Sequence, residues 1–233
     1  MAAPSTPITT VAEFDARLQS LQRAADASDS PRMTQIPMKQ LFDLAKDFVG
    51  ASPEEIEVLL DRPDHSPRVV AVSIMDFQAR RKTTPERRRR ELYDLYLRRH
   101  DRIDSWDLVD RAAPHVVGGY LWDKPREPLY RLAASAQWFE RRTSMVSTWF
   151  FIRHSDLDDT FGIAQILVND PHDLVQKAVG GWIREAGKRD EQRLRDFLDR
   201  NAATMPRTAL RYAIEHLPSD ARDCYLNLKN RHP

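Results

Sequence analysis

Residues 52–77, SPEEIEVLLDRPDHSPRVVAVSIMDF, contain the two patterns that decide the fold. The first pattern is a helix start, in which a capping serine, Ser52, precedes Pro53 at the first helical position and Glu55 is placed for a capping box. The second pattern is apolar residues three or four positions apart, at Ile56, Leu59 and Leu60 and again at Val69, Val70, Ile74 and Phe77. Together they predict short amphipathic helices in close succession.

The same start signal recurs along the chain, at Ser66-Pro67, Thr84-Pro85, Asp170-Pro171, Pro125 and Pro206. No stretch has the alternating pattern of a strand, and about a dozen short helices are predicted. Paired helices give units of roughly 35 to 45 residues, the period of HEAT and armadillo repeats. We therefore predict an all-α fold, a HEAT-like helical-repeat solenoid with a concave binding face. Residues 1–9 are expected to be a flexible N-terminus and residues 10–233 a single domain.

The composition limits the class of protein. With 233 residues, 41% of them hydrophobic, the chain can bury a substantial core. No apolar run approaches the ~18 residues of a membrane span, and the first residues lack a signal-peptide pattern. The single cysteine, Cys224, excludes an internal disulfide framework and a zinc site built from cysteines. We expect a protein of the reducing cytoplasm.

Charge is unevenly distributed, although the net charge is only +1. Between Arg80 and Arg102 there are ten basic and four acidic residues, and between Lys177 and Arg211 there are nine and five. Residues 37–64 hold three basic and seven acidic residues. This pattern can produce one positive face, as in proteins that lie on a phosphate backbone, but arginine runs are as often only solvated helix faces.

Trp106 and Asp110 offer an aromatic ring and a carboxylate on one helical face, because positions i and i+4 lie one turn apart. Asp107 points roughly 100° away. Spacing alone leaves two interpretations open: these residues form a binding site, or Trp106 belongs to the core and the aspartates cap or pair. The seven histidines show no HExxH spacing, and the chain has no GxGxxG, P-loop or Gly-x-Ser-x-Gly motif.

Three segments, in order, resemble the AlkD-like family of DNA alkylation repair glycosylases: residues 106–110, 138–147 and 176–185. The resemblance extends from about residue 37 to residue 226. It implies a HEAT-like fold and a monofunctional DNA N-glycosylase that excises cationic N3- and N7-alkylated purines from duplex DNA in base excision repair. It further implies that no metal or organic cofactor is used. We expect a cytoplasmic, nucleoid-associated protein that acts as a monomer.

The resemblance also assigns roles to individual residues. Asp110 resembles the family's catalytic carboxylate, Trp106 its partner aromatic residue and Arg142 its backbone-contacting arginine. Arg141 is expected to form a structural pair instead, because it faces another direction on the helix. The other predicted DNA-binding residues recur at helical or repeat spacing: Lys177, Arg184, Lys188 and Arg211.

The third segment departs from the family pattern Gly-Trp-x-x-Arg-Glu, since it reads Gly180-Gly181-Trp182-Ile183-Arg184-Glu185. If Arg184 keeps its place, Gly181 stands where the family has tryptophan, and Trp182 lies about 100° round the helix on its apolar side. Trp182 then belongs to the core, or a local shift returns it to the site as a third catalytic residue. Two other functions stay open: a non-catalytic HEAT-like protein that recognises damaged or branched DNA, and a protein-binding solenoid.

Overall fold

The computed structural model describes residues 7–27 and 36–228, and every regular element in these residues is helical. The predicted all-α fold is therefore confirmed. The chain divides into two compact units, Met1–Ala112 and Ala113–Pro233. Of the N-terminal segment predicted to be flexible, residues 1–6 lie outside the described residues, and the first helix begins at Pro7. The single domain over residues 10–233 and the concave face stay predictions.

The first unit is built around its fourth helix. Its described α-helices are α1 (Pro7–Asp26), α2 (Met38–Asp47), α3 (Pro53–Leu60), α4 (His65–Arg80), α5 (Glu86–Arg98) and α6 (Trp106–Ala112), with a 3₁₀ turn at His100–Arg102. Helix α4 packs against α2, α3, α5 and α6. Its residues Val70 and Ile74 are fully buried, as are Leu60 of α3 and Leu92 of α5. Burial of these apolar side chains stabilises the unit.

The second unit begins with a π-helical segment, Ala113–Gly118, at which the chain leaves α6. Its described α-helices are α7 (Glu127–Ala133), α8 (Trp138–Ser147), α9 (Trp149–Arg153), α10 (Asp158–Leu167), α11 (Asp173–Gly187), α12 (Glu191–Asn201), α13 (Arg207–Ala213) and α14 (Ser219–Asn227). Helix α11 packs against α8, α10, α12 and, most extensively, α13. Val146, Ile183 and Leu210 are fully buried and contribute to the core.

The predicted start of α3 is confirmed in atomic detail. Ser52 Oγ accepts a hydrogen bond of 3.3 Å from the backbone N–H of Glu55, and Glu55 Oε2 accepts one of 2.8 Å from the backbone N–H of Ser52. This reciprocal capping box satisfies two backbone donors that the first turn would otherwise leave free.

The other predicted starts are displaced by one or two residues, because the expected capping side chains bond elsewhere or the cap lies at a neighbouring residue. The hydroxyl of Thr84 donates to the carbonyl of Gln78, and α5 starts only at Glu86. The carboxylate of Asp170 accepts from the backbone N–H of His172 and pairs with Arg141. The remaining corrections are α4 at His65, α7 at Glu127, α11 at Asp173 and α13 at Arg207.

Two adjacent glycines in α11 have opposite surroundings. A Cβ at Gly180 would lie 2.3 Å from the carbonyl oxygen of Ala209 and 2.6 Å from the Cβ of Tyr212, so the missing side chain allows α13 to approach closely. A Cβ at Gly181 would meet nothing within 4 Å apart from its own helix and chain neighbours.

We expect Gly180→Ala to lower the free energy of unfolding by about 1–3 kcal/mol, because the methyl group forces α11 and α13 apart. Gly181→Ala should raise it by roughly 0.5–1 kcal/mol, since alanine has the better helix propensity and open space receives its methyl group. Urea unfolding of the two variants measures both effects. Equal destabilisation by the two substitutions would contradict the close approach at Gly180.

Candidate functional site

Helix α6 presents the predicted aromatic and acidic residues one turn apart. Trp106, the first residue of α6, is 52% exposed, which is unusual for a large aromatic side chain. Asp110 is half-buried, and Leu108 and Val109 between them are fully buried. Trp106 is therefore not part of the core, and a binding site formed by Trp106 and Asp110 stays a prediction.

The neighbouring carboxylate, Asp107, is bound within the first unit. Its Oδ1 accepts a hydrogen bond of 2.7 Å from the hydroxyl of Ser105, and its Oδ2 lies 2.7 Å from Nε2 of His65. Burial would raise the pKa of Asp107, but the hydrogen bonds from Ser105 and His65 outweigh it and lower this pKa below its usual value. Asp107 thus fixes the start of α6 against the start of α4.

The other end of α6 is held by Arg111. Its Nη1 lies 3.2 Å from a carboxylate oxygen of the fully buried Asp76, and its Nε donates to the hydroxyl of Ser73. Its guanidinium also stacks 4.4 Å from the ring centre of Phe42 and 4.6 Å from that of Phe77. Burial lowers the pKa of Arg111. Since both ends of α6 are attached to α4, the direction of Asp110 is set by a rigid helix.

In the second unit, Trp182 connects α11 to α8. Its indole ring is half-buried, and Nε1 donates a hydrogen bond of 3.1 Å to the carbonyl of Val146. Val146 is in the last turn of α8, where backbone carbonyls lack partners within the helix. Trp182 therefore has a structural role, because its hydrogen bond joins α11 to α8.

The three predicted DNA-binding cations in or directly after α11 all have acidic partners. Lys177 lies 2.6 Å from Asp173, and this hydrogen bond raises the pKa of the lysine and lowers that of the aspartate. The remaining pairs are Arg184 with Glu215 and Glu185, and Lys188 with Glu185 at 2.7 Å. An incoming phosphate would have to compete with these carboxylates.

Two other predicted DNA-binding residues, Arg211 and Arg142, have different surroundings. Arg211 on α13 is exposed, and it makes no ion pair within the described part of the chain. Arg142 is only 5% exposed, and its guanidinium donates to the backbone carbonyl of Leu174. Arg141 forms the structural pair expected of it, with two hydrogen bonds of 2.5 and 3.1 Å to Asp170.

Some site neighbours were not expected from the sequence. Tyr212, which is 40% exposed, adjoins Arg211 on α13 and packs close to Gly180. The pairing of His65 with Asp107 joins residues 42 positions apart, and no local pattern signals it.

Among residues 7–27 and 36–228, no group of three or more His, Cys, Asp or Glu side chains is arranged to hold a metal. No helix there is long and apolar enough to cross a membrane.

Comparison with known proteins places the chain in a family. The sequence model of a family described as DNA alkylation repair enzyme matches residues 15–217. The chain belongs to the DNA alkylation repair enzyme family. The match includes α6 and α11, so Trp106, Asp110 and Trp182 all lie within the region characteristic of these repair enzymes.

A solved structure supports the same fold. It is described as a predicted DNA alkylation repair enzyme from Enterococcus faecalis, and the alignment covers 91% of this chain and 96% of that chain with a TM-score of 0.61 and 15% identity. At this identity the likeness concerns the fold alone. No curated protein matches the sequence. Membership of the DNA alkylation repair enzyme family supports a role in alkylation repair and implies DNA as the partner.

Proposed function

We propose that the protein is a monofunctional DNA N-glycosylase that removes cationic N3- or N7-alkylated purines from duplex DNA. The observation that carries this proposal is the exposed ring of Trp106 one turn from Asp110, on a helix attached at both ends to α4. Contacts at Asp107 and Arg111 that hold the helix carrying Trp106 and Asp110 favour a site that is rigid before its ligand arrives.

The chemistry needs little from the protein. Alkylation at N3 or N7 makes the purine cationic, so the bond between C1′ and N9 breaks with its electron pair going to the base. The base leaves neutral, and the positive charge passes to the sugar as an oxocarbenium-like centre. Water adds at C1′ and loses a proton to solvent or to a carboxylate. No metal or organic cofactor takes part in this scheme.

The candidate residues act on three parts of the substrate: the sugar, the cationic base and the DNA phosphates. Asp110 stabilises the sugar cation and orients the water, because a fixed carboxylate acts where positive charge develops. Trp106 attracts the cationic base through its ring face, worth ~0.5–2 kcal/mol. Trp182 is the second aromatic candidate. The proposed phosphate contacts are Lys177, Arg184, Lys188, Arg211 and Arg142, the last of which must first give up its bond to the Leu174 carbonyl.

A second candidate function is recognition of damaged or branched DNA without catalysis. Gly181 in place of the family's tryptophan favours it, as does the hydrogen bond that commits the Trp182 N–H to Val146. Release of methylated purine from alkylated duplex DNA decides between the two functions. Release that is no faster than in a protein-free control would leave the non-catalytic function.

The binding of undamaged duplex DNA should weaken with salt, with a slope of log affinity against log salt of about −0.9 per neutralised phosphate. Arg211→Gln is expected to make this slope less negative by about 0.9, because Arg211 is exposed and has no acidic partner in the described residues. Fluorescence anisotropy at several salt concentrations measures it.

The matched control is Arg200→Gln, which removes an equally exposed charge from α12 that is not among the proposed contacts. Identical slopes for the two variants would remove Arg211 from the DNA-binding surface. Binding that does not depend on salt would contradict a phosphate-binding surface altogether.

A further inference from the structure

A basic groove in the first unit is lined by residues other than the catalytic and DNA-binding residues assigned above. It has a volume of about 290 Å³ and is lined by Lys46 near the end of α2, by Val49, by Phe77 and Arg80 near the end of α4, and by Arg81. Three cationic side chains from two segments of the chain therefore converge on one concave surface with an apolar floor.

The charge around this groove is only partly neutralised. Arg81 is exposed and makes no ion pair or side-chain hydrogen bond within the described residues. Arg80 lies 2.8 Å from the buried carboxylate of Asp76, but that carboxylate also pairs with Arg111. Lys46 pairs at 2.8 Å with Asp43 on the surface of α2. Asp76 is thus shared by Arg80 and Arg111, Asp43 is shared by Lys46 and Lys39, and Arg81 has no acidic partner in the described residues, so positive charge is left over.

The helix ends do not cancel this charge. The C-terminus of a helix carries partial negative charge on its unpaired carbonyls, and two helices end here. In the segment after α2, the carbonyls of Val49 and Ala51 accept hydrogen bonds of 3.0 and 2.7 Å from the side-chain amide of Gln78. The carbonyl of Gln78 accepts from Thr84, and those of Ala79 and Arg81 accept from Arg89.

Several other arginines of the adjoining basic run have acidic partners, most of them on the protein surface. In α5, Arg87 and Arg88 pair with Glu91, and Arg90 pairs with Asp94. Beyond them, Arg98 and Arg99 pair with Glu57 of α3. Arg81, near the start of the run from Arg80 to Arg102, has no acidic partner in the described residues, and it lines the groove.

We infer that this groove binds a phosphodiester group of the DNA backbone, with Arg81 and Lys46 as the direct donors. The planar guanidinium of Arg81 suits two parallel hydrogen bonds to phosphate oxygens, and Lys46 adds a point charge. The lysine ammonium lies 5.9 Å from the ring centre of Phe77, which keeps it over the groove. The assignment rests on DNA being the partner, as in the proposed function, and adds a contact in the first unit.

The test compares Arg81→Gln with Lys82→Gln. Both substitutions remove one positive charge from adjacent exposed residues, but only Arg81 lines the groove. Binding of a fluorescein-labelled undamaged duplex is measured at several salt concentrations. We expect the slope of log affinity against log salt to become less negative by about 0.9 for Arg81→Gln and to stay unchanged for Lys82→Gln. Equal slopes for the two variants, or no binding by the unsubstituted protein, would overturn the assignment.

Two further measurements separate the possible outcomes. Inorganic phosphate at constant ionic strength tests free phosphate as the source of the same chemistry: strong competition that Arg81→Gln abolishes would assign the groove to free phosphate, contrary to the inference. Release of methylated purine tests the proposed function independently. If Arg81→Gln changes the slope but the unsubstituted protein releases no base, the groove binds a phosphodiester group and the protein is not a glycosylase. If base is released but the slopes of the two variants are equal, the protein is a glycosylase and the groove is not a phosphate contact.

Discussion

Asparagine in place of Asp110 is expected to slow the release of methylated purine from alkylated duplex DNA by about a hundredfold or more. The substitution preserves the shape of the side chain and removes the charge that, in the proposed reaction, stabilises the developing sugar cation. An interaction that acts mainly in the transition state contributes little to ground-state binding, so DNA affinity should be nearly unchanged. Single-turnover rates and melting temperatures measured on the same preparations separate the effect on catalysis from any effect on folding.

Asp107→Asn is the matched control, because it removes a second carboxylate from the same helix. Asp107 bonds to Ser105 and His65, so its loss should cost about 1 kcal/mol of stability per hydrogen bond broken and should lower the rate much less. If Asp110→Asn reduced activity only in proportion to its stability, Asp110 would be a structural residue.

Alanine in place of Trp182 is expected to lower the free energy of unfolding by about 3 kcal/mol, since it removes a large half-buried ring and the bond to the Val146 carbonyl. Trp182→Phe keeps a ring and loses the N–H, and should cost only about 1 kcal/mol. Thermal or urea unfolding measures both variants. An unchanged melting temperature for Trp182→Ala together with lost base release would instead show that Trp182 acts in the site.

The companion substitution is Gly181→Trp. A Cβ at Gly181 meets nothing within 4 Å outside its own helix and chain neighbours, and the melting temperature of the variant shows whether the larger indole ring is also accommodated. If the family's aromatic position is needed for excision, this variant should release methylated purine faster than the unsubstituted protein. A slower rate would show that the site is complete without a ring at this position.

The sequence predicted the helical class well, because apolar spacing and capping residues are local signals. The capping box at Ser52 and Glu55 is the clearest example. The prediction missed α14 (Ser219–Asn227), in which Tyr225 is the one buried residue, so its apolar pattern is weak. It also missed the π-helical segment Ala113–Gly118, which has no distinctive composition and depends on packing.

The candidate site was predictable only where it depends on local helical geometry. The shared helix of Trp106 and Asp110 followed from their spacing. The attachment of Arg111 to Asp76 did not, because the two residues meet only after α4 and α6 have packed. Counting charges also failed to show which cations are neutralised, and in α11 Lys177, Arg184 and Lys188 all turned out to have acidic partners.

The two glycines of α11 differ in how freely their positions can change during evolution. At Gly180 any side chain would collide with the backbone of Ala209, so a substitution requires compensating changes in α13 and would be rare. At Gly181 a small side chain can be gained or lost in a single step, because a Cβ there meets nothing within 4 Å outside its own helix and chain neighbours. The fold can therefore tolerate small changes at position 181 while the packing of α11 on α13 is inherited unchanged.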